Sequence, residues 1–300
     1  MWYSCAVVTD AWIPDEMLLE PVQFASGVRL EKIPSWVKDE PALRFESWQT
    51  REAVKKARAV FATEYEANAL GSEDPSPMKH PRGIQAAADA KIALAQLALW
   101  IVRPCSWSGG PLLHFGEKGN AESLRQSGSL QKIRVADTEI DAVPSSNDFT
   151  DARALHAAML GLGFESTWWA ALRMLQIAAT EHLWEVRYML MWVVLEALFG
   201  PADGREITFR ISQRIALFLG NDTAERIKLF DSARECYGTR SKAVHGAKLA
   251  SLTPERSSEL MLATEALVRS ALRKVLPDQA LCDTFSGKAR EAFLDGLAFR

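Results

Sequence analysis

Cysteine is scarce in this sequence. The chain of 300 residues contains four cysteines, which lie far apart, at Cys5, Cys105, Cys236 and Cys282. No two of them form a C-x-x-C pair, so their spacing excludes a zinc finger and a small secreted scaffold held by disulfides. We therefore expect a protein of the reducing cytoplasm.

Long apolar runs are also missing. The two most apolar stretches, residues 92–102 and 189–199, are interrupted by Gln96 and Glu196, whereas a helix needs about 20 apolar residues to span a bilayer. The first residues, MWYSCAVVTDAW, lack the basic start and continuous apolar run of a secretion signal. Both stretches indicate core helices, and we expect no membrane partner.

The chain has little net charge. Its formal charge of −3 excludes the overall basic surface of a general nucleic-acid coat protein but permits a local basic patch. Between residues 205 and 248, nine basic residues stand against five acidic ones. This local excess suits either a phosphate-facing surface or a solvated helical face, and the sequence leaves both open.

The first 145 residues predict an α+β domain. β-like patterns mark four candidate strands, at residues 2–8, 22–33, 111–116 and 130–140. Helical periodicity marks two further segments, at about residues 46–70 and 84–102. Residues 116–129 have the composition of a surface loop, and residues 143–150 that of a linker.

From about residue 150 to the end, the sequence predicts an all-α bundle. Helical spacing indicates helices at residues 150–161, 166–199, 207–220, 222–246, 253–275 and 287–298. The second would be one long rod, ended by a Gly-Pro pair that cannot continue a helix. The fold class is therefore mixed, with an α+β domain at residues 1–145 followed by a helical bundle at residues 150–300.

Two helix starts in the bundle have capping signals. Asp222 followed three positions later by Glu225 is typical of a capping box. Thr253 before Pro254 is typical of an N-cap with proline at the first helical position.

The segment YGTRSKAVHG, residues 237–246, places Arg240 and His245 on the last turns of one predicted helix. At the ideal pitch of about 100° per residue, the two side chains lie on either side of a stripe of apolar and small residues. That stripe consists of Phe230, Tyr237, Ser241 and Val244. If it packs only inside its own bundle, Arg240 and His245 are boundary residues that cap the helix. If it meets a second copy, the two pairs converge on a polar cleft.

Three segments occur in order along the chain: WEVRYMLMWVVLEALFG, EITFRISQRIALFLG and CYGTRSKAVHG. This succession resembles the HEPN superfamily, and more closely its Apea-like branch. In that branch, a long helix ending in Leu-Glu-Ala-Leu precedes a helix with Arg-x-Ala and then Arg-Ser-x-x-x-His-Gly. The resemblance covers about residues 165–275 and does not extend to the N-terminal half.

The resemblance implies a helical bundle that forms a homodimer and, in active members, cuts RNA without a metal ion or other cofactor. By position, Arg240 and His245 match the catalytic pair. Glu196 and Arg214 match recurrent positions, which we interpret as a structural pair or polar network within the bundle in preference to a direct catalytic role. Four residues around the pair are candidates for substrate binding: Tyr237, Ser241, Lys242 and Lys248.

The residue types suit this chemistry. Histidine has an ordinary pKa near neutral pH, so His245 can take a proton from the ribose 2′-hydroxyl or give one to the leaving 5′-oxygen. Arg240 offers a permanently charged fork for phosphate oxygens. One or two protomers could supply both proton transfers. Ala247 stands where some relatives have a regulatory tyrosine, and Ser241 where others have an acidic or amide residue.

Other candidate sites have weaker patterns. Glu181, His182 and Glu185 lie close together, but no second cluster at metal-ligand spacing accompanies them, so we expect no metal site. His80 and His114 lack a nucleophile motif and indicate ordinary roles. Trp107, in a glycine-flanked loop, is a candidate ligand or partner contact.

The leading hypothesis is a cytoplasmic, homodimeric endoribonuclease of an antiviral or toxin type. The N-terminal domain would then act as sensor, recruiter or restraint, and a regulatory protein partner stays open. The second hypothesis is a HEPN scaffold that binds RNA or a protein without cutting. The third is a helical interaction module in which Arg240 and His245 only cap a helix.

Overall fold

The computed structural model describes most of the chain as two compact units. The described residues are 1–9, 13–66, 81–106, 110–116, 124–130, 132–135, 143–162, 167–244 and 252–299. One unit contains the described residues up to Leu160, and the other contains those from Gly161 onward. The N-terminal unit is built on a sheet, and the C-terminal unit is helical.

The sheet of the N-terminal unit has six antiparallel strands among the described residues, in the order β2-β3-β4-β1-β5-β6. The strands are β1 (Trp2–Val8), β2 (Val22–Gln23), β3 (Arg29–Lys32), β4 (Ala59–Tyr65), β5 (Pro111–Phe115) and β6 (Leu124–Ser129). Two short helices pack on it, α1 (Ser35–Lys38) and α2 (Trp48–Lys56). Two longer helices complete the unit, α3 (Pro81–Val102) and α4 (Ser146–Gly161).

The central strands are buried on both faces. Alternate residues of a strand point to opposite faces, and both Cys5 and Ala6 of β1 are fully buried. On the Cys5 face, a core cluster includes Val37 of α1 and Val54 of α2. The sheet is therefore the middle layer of its unit.

Helix α3 fills the core of this unit. Among the described residues, the one helical window long and apolar enough to cross a membrane is Gln85–Val102, and 67% of that window is buried inside the folded chain. Residues 92–102 are all buried, which confirms the prediction of a core helix there.

The prediction of one helix over residues 46–70 is wrong. Helix α2 ends at Lys56, Ala57 is extended, and β4 follows between β3 and β1. Val60 and Phe61 are fully buried there. Pairing with two neighbouring strands outweighs the helical pattern, because β-branched and aromatic residues pack well on a pleated surface.

Two assignments near the last strand also change. β6 (Leu124–Ser129) lies in the segment predicted as a surface loop. In the predicted strand at residues 130–140, Ile133 forms only an isolated bridge, while residues 131 and 136–140 lie outside the described residues.

The predicted linker at residues 143–150 is mostly helix. Helix α4 begins at Ser146, and the Asp148 carboxylate accepts a hydrogen bond from the Ser145 backbone N–H at 2.8 Å. Phe149 and His156 of α4 make ring contacts with Phe24 of the N-terminal unit. The division between the units therefore follows α4 instead of preceding it.

In its described residues, the C-terminal unit consists mainly of helices. They are α5 (Thr167–Thr180), α6 (Trp184–Phe199), α7 (Ile207–Leu219), α8 (Thr223–Val244), α9 (Pro254–Val275), α10 (Gln279–Ser286) and α11 (Arg290–Gly296). Helix α6 supplies much of the core, because Tyr188, Met191, Trp192 and Leu195 are fully buried. The predicted last helix at residues 287–298 is shorter than expected, and α10 was not predicted.

The long rod predicted at residues 166–199 is broken into α5 and α6. The Glu181 carboxylate accepts hydrogen bonds from the backbone N–H groups of His182 at 2.8 Å and Leu183 at 2.9 Å. These bonds satisfy backbone donors of the turn between α5 and α6, so the chain turns there without glycine or proline. The two helices then pack against each other.

Both predicted capping signals are confirmed. Asp222 accepts a hydrogen bond from the Glu225 backbone N–H at 2.8 Å, and Glu225 in return binds the backbone N–H of Asn221 at 2.8 Å. Thr253 caps α9 through the backbone N–H of Arg256. Helix α8 is described to Val244, so its predicted end at Gly246 lies outside the described residues.

Candidate functional site

The candidate site lies where the last turn of α6 meets the last turns of α8. The buried Trp192 of α6 packs edge-on against the ring of Tyr237 of α8, with ring centroids 5.1 Å apart. One helical turn after Trp192, Glu196 projects from the same face of α6, since residues four apart share a face. Packing of the two rings thus brings Glu196 to α8.

Glu196 binds two of the predicted site residues. Its carboxylate accepts a hydrogen bond from the Tyr237 hydroxyl at 2.8 Å and lies 2.9 Å from Nη2 of Arg240. The side chain of Glu196 is 26% exposed and that of Arg240 is 19% exposed. The ion pair is therefore only partly screened by solvent.

Arg240 also contacts the aromatic ring of Tyr237. Its guanidinium carbon lies 5.5 Å from the centroid of the Tyr237 ring, within the range of a cation–π contact. Nε of Arg240 is buried and has no hydrogen-bond partner within the described residues. Since a guanidinium has five N–H donors, most of its donors are not used by Glu196.

Tyr237 is a hydrogen-bond donor at neutral pH. Burial is the larger cause and the hydrogen bond to the negative Glu196 the second, and together they raise the pKa of Tyr237 to about 12. Its hydroxyl therefore keeps its proton and orients the carboxylate that holds Arg240.

The end of α6 depends on Gly200. Its N–H donates to the backbone oxygen of Glu196 at 2.8 Å, and a Cβ at this position would lie 2.5 Å from that oxygen. Only glycine allows this close approach. The Gly-Pro pair that ends α6 thus also fixes the turn that carries Glu196.

Several predicted site residues lie near the end of the described part of α8 or outside the described residues. Ser241 follows Arg240 on α8 and is half-buried. Lys242 belongs to α8, but its side chain is not among those described. His245 and Lys248, together with Ala247, lie outside the described residues.

Arg214 belongs to a different network from Glu196. It donates to both Glu291 and Asp295 of α11 at 2.7 Å and to the backbone oxygen of Phe199 at 3.1 Å. Burial acts to lower the pKa of Arg214, but the hydrogen bonds to these carboxylates raise it above its ordinary value. Glu196 and Arg214 do not pair with each other, and each lies instead in its own polar network within the helical unit.

Sequence reasoning missed the acidic partners on α11. Glu291 and Asp295 are four residues apart and face the same way on the helix. This spacing was the only feature of the sequence that could have indicated a shared partner. Arg210 also lies within 4 Å of both carboxylates. Two of the nine basic residues counted between residues 205 and 248 are thus committed to α11 and not to a phosphate-facing surface.

The competing candidates take mostly structural positions. Glu181 binds backbone N–H groups of the turn before α6, and within the described residues no group of three or more His, Cys, Asp or Glu side chains could hold a metal ion. His114 is fully buried between Tyr65, 3.1 Å from its Nδ1, and Asp89, 3.3 Å from its Nε2. His80 and Trp107 lie outside the described residues.

Comparison with known proteins adds no assignment. No protein-family model, curated protein or solved structure matches the chain.

Proposed function

We propose that the C-terminal unit is a HEPN-type helical bundle and that the end of its helix α8 is a metal-independent endoribonuclease site. The observation that carries the proposal is the contact of Glu196 with Arg240. It joins the last turn of the first motif segment, LEALFG, to the arginine of the third segment, RSKAVHG. Glu196 and Arg240, which lie 44 residues apart in sequence, thus belong to one polar cluster.

In this proposal, His245 and Arg240 carry the chemistry. The imidazole takes the proton of the ribose 2′-hydroxyl, the 2′-oxygen attacks phosphorus, and the bond to the 5′-oxygen breaks. An imidazolium gives a proton to that leaving oxygen. The guanidinium of Arg240 stabilises the charge on the phosphorane oxygens. The products are a 2′,3′-cyclic phosphate and a 5′-hydroxyl.

Glu196 and Tyr237 act as positioning residues for Arg240. The carboxylate fixes one edge of the guanidinium, and the Tyr237 ring supports its plane. The Arg240 N–H donors other than the buried Nε and the one bound to Glu196 would then meet phosphate oxygens in a fixed orientation. Ser241, Lys242 and Lys248 follow on the same segment and would contact the RNA backbone.

The wider biology is part of the same proposal. The protein would work in the cytoplasm as a homodimer, with His245 of two copies near a shared cleft, in an antiviral or toxin-type role. The N-terminal unit would sense, recruit or restrain. No cofactor is required by this chemistry.

The test is cleavage of single-stranded RNA by the purified full chain in EDTA. We expect His245→Ala and Arg240→Ala each to lower the cleavage rate by about 100-fold or more, because a general acid–base group or a charge clamp is worth that much. Arg234→Ala, an exposed arginine on the same helix, is the matched control and should cleave normally. Cleavage that survives His245→Ala contradicts the assignment.

A second function is favoured by the neutralisation of Arg240. Because Glu196 already pairs with this arginine within one chain, the same cluster also suits a scaffold that binds RNA or a protein without cutting it. A scaffold should bind RNA in filter or anisotropy assays with no cyclic-phosphate product. Glu196→Gln separates the two functions: it should strengthen RNA binding in a scaffold, but it should slow cleavage where Glu196 positions a catalytic arginine.

A further inference from the structure

The N-terminal unit contains a pocket that the proposed ribonuclease function does not use. Its lining comes from within residues 15–19, 32–38 and 57–58, which are the segment before β2, the end of β3 with helix α1, and the residues between α2 and β4. Its volume is about 880 Å³, within the size range of small-molecule sites. We call it the β3–α1 pocket.

Buried apolar side chains belong to the lining of this pocket. Leu18, Ile33 and Ala57 all line it and are buried. The Ile33 backbone N–H donates to the backbone oxygen of Arg58 at 3.0 Å, which continues the pairing of β3 with β4. The backbone that carries the charged side chains of the pocket is therefore fixed by the sheet.

The charged side chains of the lining are mainly basic. Lys32, Lys38 and Arg58 contribute three positive charges, and Asp15 contributes one negative charge. The lining therefore has a net charge of +2. Such a pocket attracts an anion and repels a cation.

The acidic residues beside this lining are not part of it. Glu31 pairs with Arg29 at 2.8 Å. Glu16 and Glu20 line a separate pocket beside α4, and Asp39 does not line the β3–α1 pocket. The excess of positive charge therefore stays with the residues that line the pocket.

The three cations differ in their partners. Arg58 forms an ion pair with Asp15. Nζ of Lys38 donates to the backbone oxygen of Lys55 at 3.2 Å, and this neutral acceptor leaves the charge of Lys38 uncompensated. Lys32 is exposed and forms no hydrogen bond or ion pair within the described residues. Two ammonium groups of the lining thus have no counter-ion among the described residues.

A phosphate monoester matches this arrangement. At neutral pH it carries close to two negative charges and has three acceptor oxygens, against the two uncompensated ammonium groups. Lysine binds phosphate as a point charge and needs no fixed fork geometry. The exposed hydroxyl of Ser35, which also lines the pocket, offers a neutral donor.

We propose that the β3–α1 pocket binds a phosphate monoester, with Lys32 and Lys38 as its counter-ions and Ser35 as a neutral donor. This site belongs to the N-terminal unit, so its test does not depend on α8 or on RNA cleavage.

The experiment uses three ligands that share one nucleoside and differ in charge. Adenosine is neutral, cyclic AMP carries one negative charge on a phosphodiester, and 5′-AMP carries about two on a monoester. Calorimetric titration of the full chain at low salt should show saturable binding of 5′-AMP about tenfold or more tighter than that of adenosine, with cyclic AMP between them. Equal affinities for 5′-AMP and adenosine, or no saturable binding of 5′-AMP, would overturn the proposal. Equal affinities for 5′-AMP and cyclic AMP would overturn the assignment to a monoester.

Two variants with opposite expected effects locate the binding. Lys32→Gln should weaken 5′-AMP binding by about fivefold, the size of one exposed ion pair. Asp15→Asn should tighten it by a similar factor, because it releases Arg58 and removes the one negative charge of the lining. Lys132→Gln, an exposed lysine of the same unit outside this lining, is the control and should bind 5′-AMP as the wild type does. An unchanged affinity in both Lys32→Gln and Asp15→Asn, or an equal loss in Lys132→Gln, would show that the phosphate does not bind in this pocket.

Discussion

The two units bury polar side chains in different ways. In the N-terminal unit, the buried polar groups are mainly hydroxyl, amide and imidazole groups, on Ser4, Thr63, Gln96, His114 and His156. In the C-terminal unit, charged side chains form pairs between helices, as Arg187 does with Glu265 and Arg214 with Glu291 and Asp295.

The difference follows from how each unit is held together. Strands of a sheet are joined by backbone hydrogen bonds, so contact between neighbouring strands does not depend on side chains alone. Helices satisfy their backbone internally and meet only through side chains. We infer that the ion pairs select which helix faces meet, because a shifted contact would leave a charge buried without a partner.

The largest test of this comparison removes one charge from the most buried pair. The side chains of Arg187 and Glu265 are 6% and 4% exposed. Arg187→Met removes this buried ion pair, and we expect a loss of about 3–5 kcal/mol in the free energy of unfolding. Urea unfolding followed by far-UV circular dichroism measures this loss.

Two further variants show whether burial is the cause. Adding Glu265→Leu to Arg187→Met should recover most of the lost stability, because the buried carboxylate is then replaced by an apolar side chain. Arg256→Met removes an exposed arginine that pairs with Glu235 and Glu259, where the side chains are 37%, 59% and 63% exposed, and should cost less than about 1 kcal/mol. Similar losses for Arg187→Met and Arg256→Met would show that burial does not set the cost.

The second test concerns the uncharged interior of the N-terminal unit. Nε2 of His156 lies 3.0 Å from the backbone oxygen of Lys91, and burial lowers the pKa of His156 to about 4 from the ordinary 6.5. Between those pH values the unfolded chain takes up a proton that the folded chain does not. The stabilisation is therefore fully present above pH 6.5 and is lost as the pH falls towards 4, by roughly 3 kcal/mol.

His156→Gln isolates this contribution. Glutamine keeps a donor for the Lys91 oxygen but does not titrate, so the difference in unfolding free energy between wild type and variant should shrink as the pH is lowered from 8 to 5. Chemical unfolding at several pH values gives that difference. If the difference is constant with pH, His156 is not the titrating group.

Sequence patterns predicted the elements whose signals are local. Strand β1, helix α3 and the caps at Asp222 and Thr253 follow from periodicity and residue type within a few positions. The break between α5 and α6 was missed because the side chain of Glu181, and not a glycine or proline, provides it. Strand β4 was missed because its burial depends on β1 and β3, which lie elsewhere in the sequence.

For the candidate site, too, sequence patterns predicted the local residues and missed the distant partners. Arg240, Tyr237 and Glu196 were named from motifs and from their place on a helix, and the structure brings these three together. The partners of Arg214 lie 77 and 81 residues further along the chain. No pattern within one helix can show a contact of that range, so α11 received no role from sequence.

The smallest test compares one helix start from each unit. Ser47 caps α2 through the backbone N–H of Thr50 at 3.1 Å, and Asp222 caps α8 through that of Glu225 at 2.8 Å. Ser47→Ala and Asp222→Ala should each cost about 1 kcal/mol, whereas Asp222→Asn should cost much less because asparagine also caps well. Hydrogen exchange should speed up in the first turn of the affected helix. A cap acts on its own helix, so we expect the same loss of stability in both units. Clearly unequal losses for the two alanine variants would mean that the difference between the units extends to their helix ends.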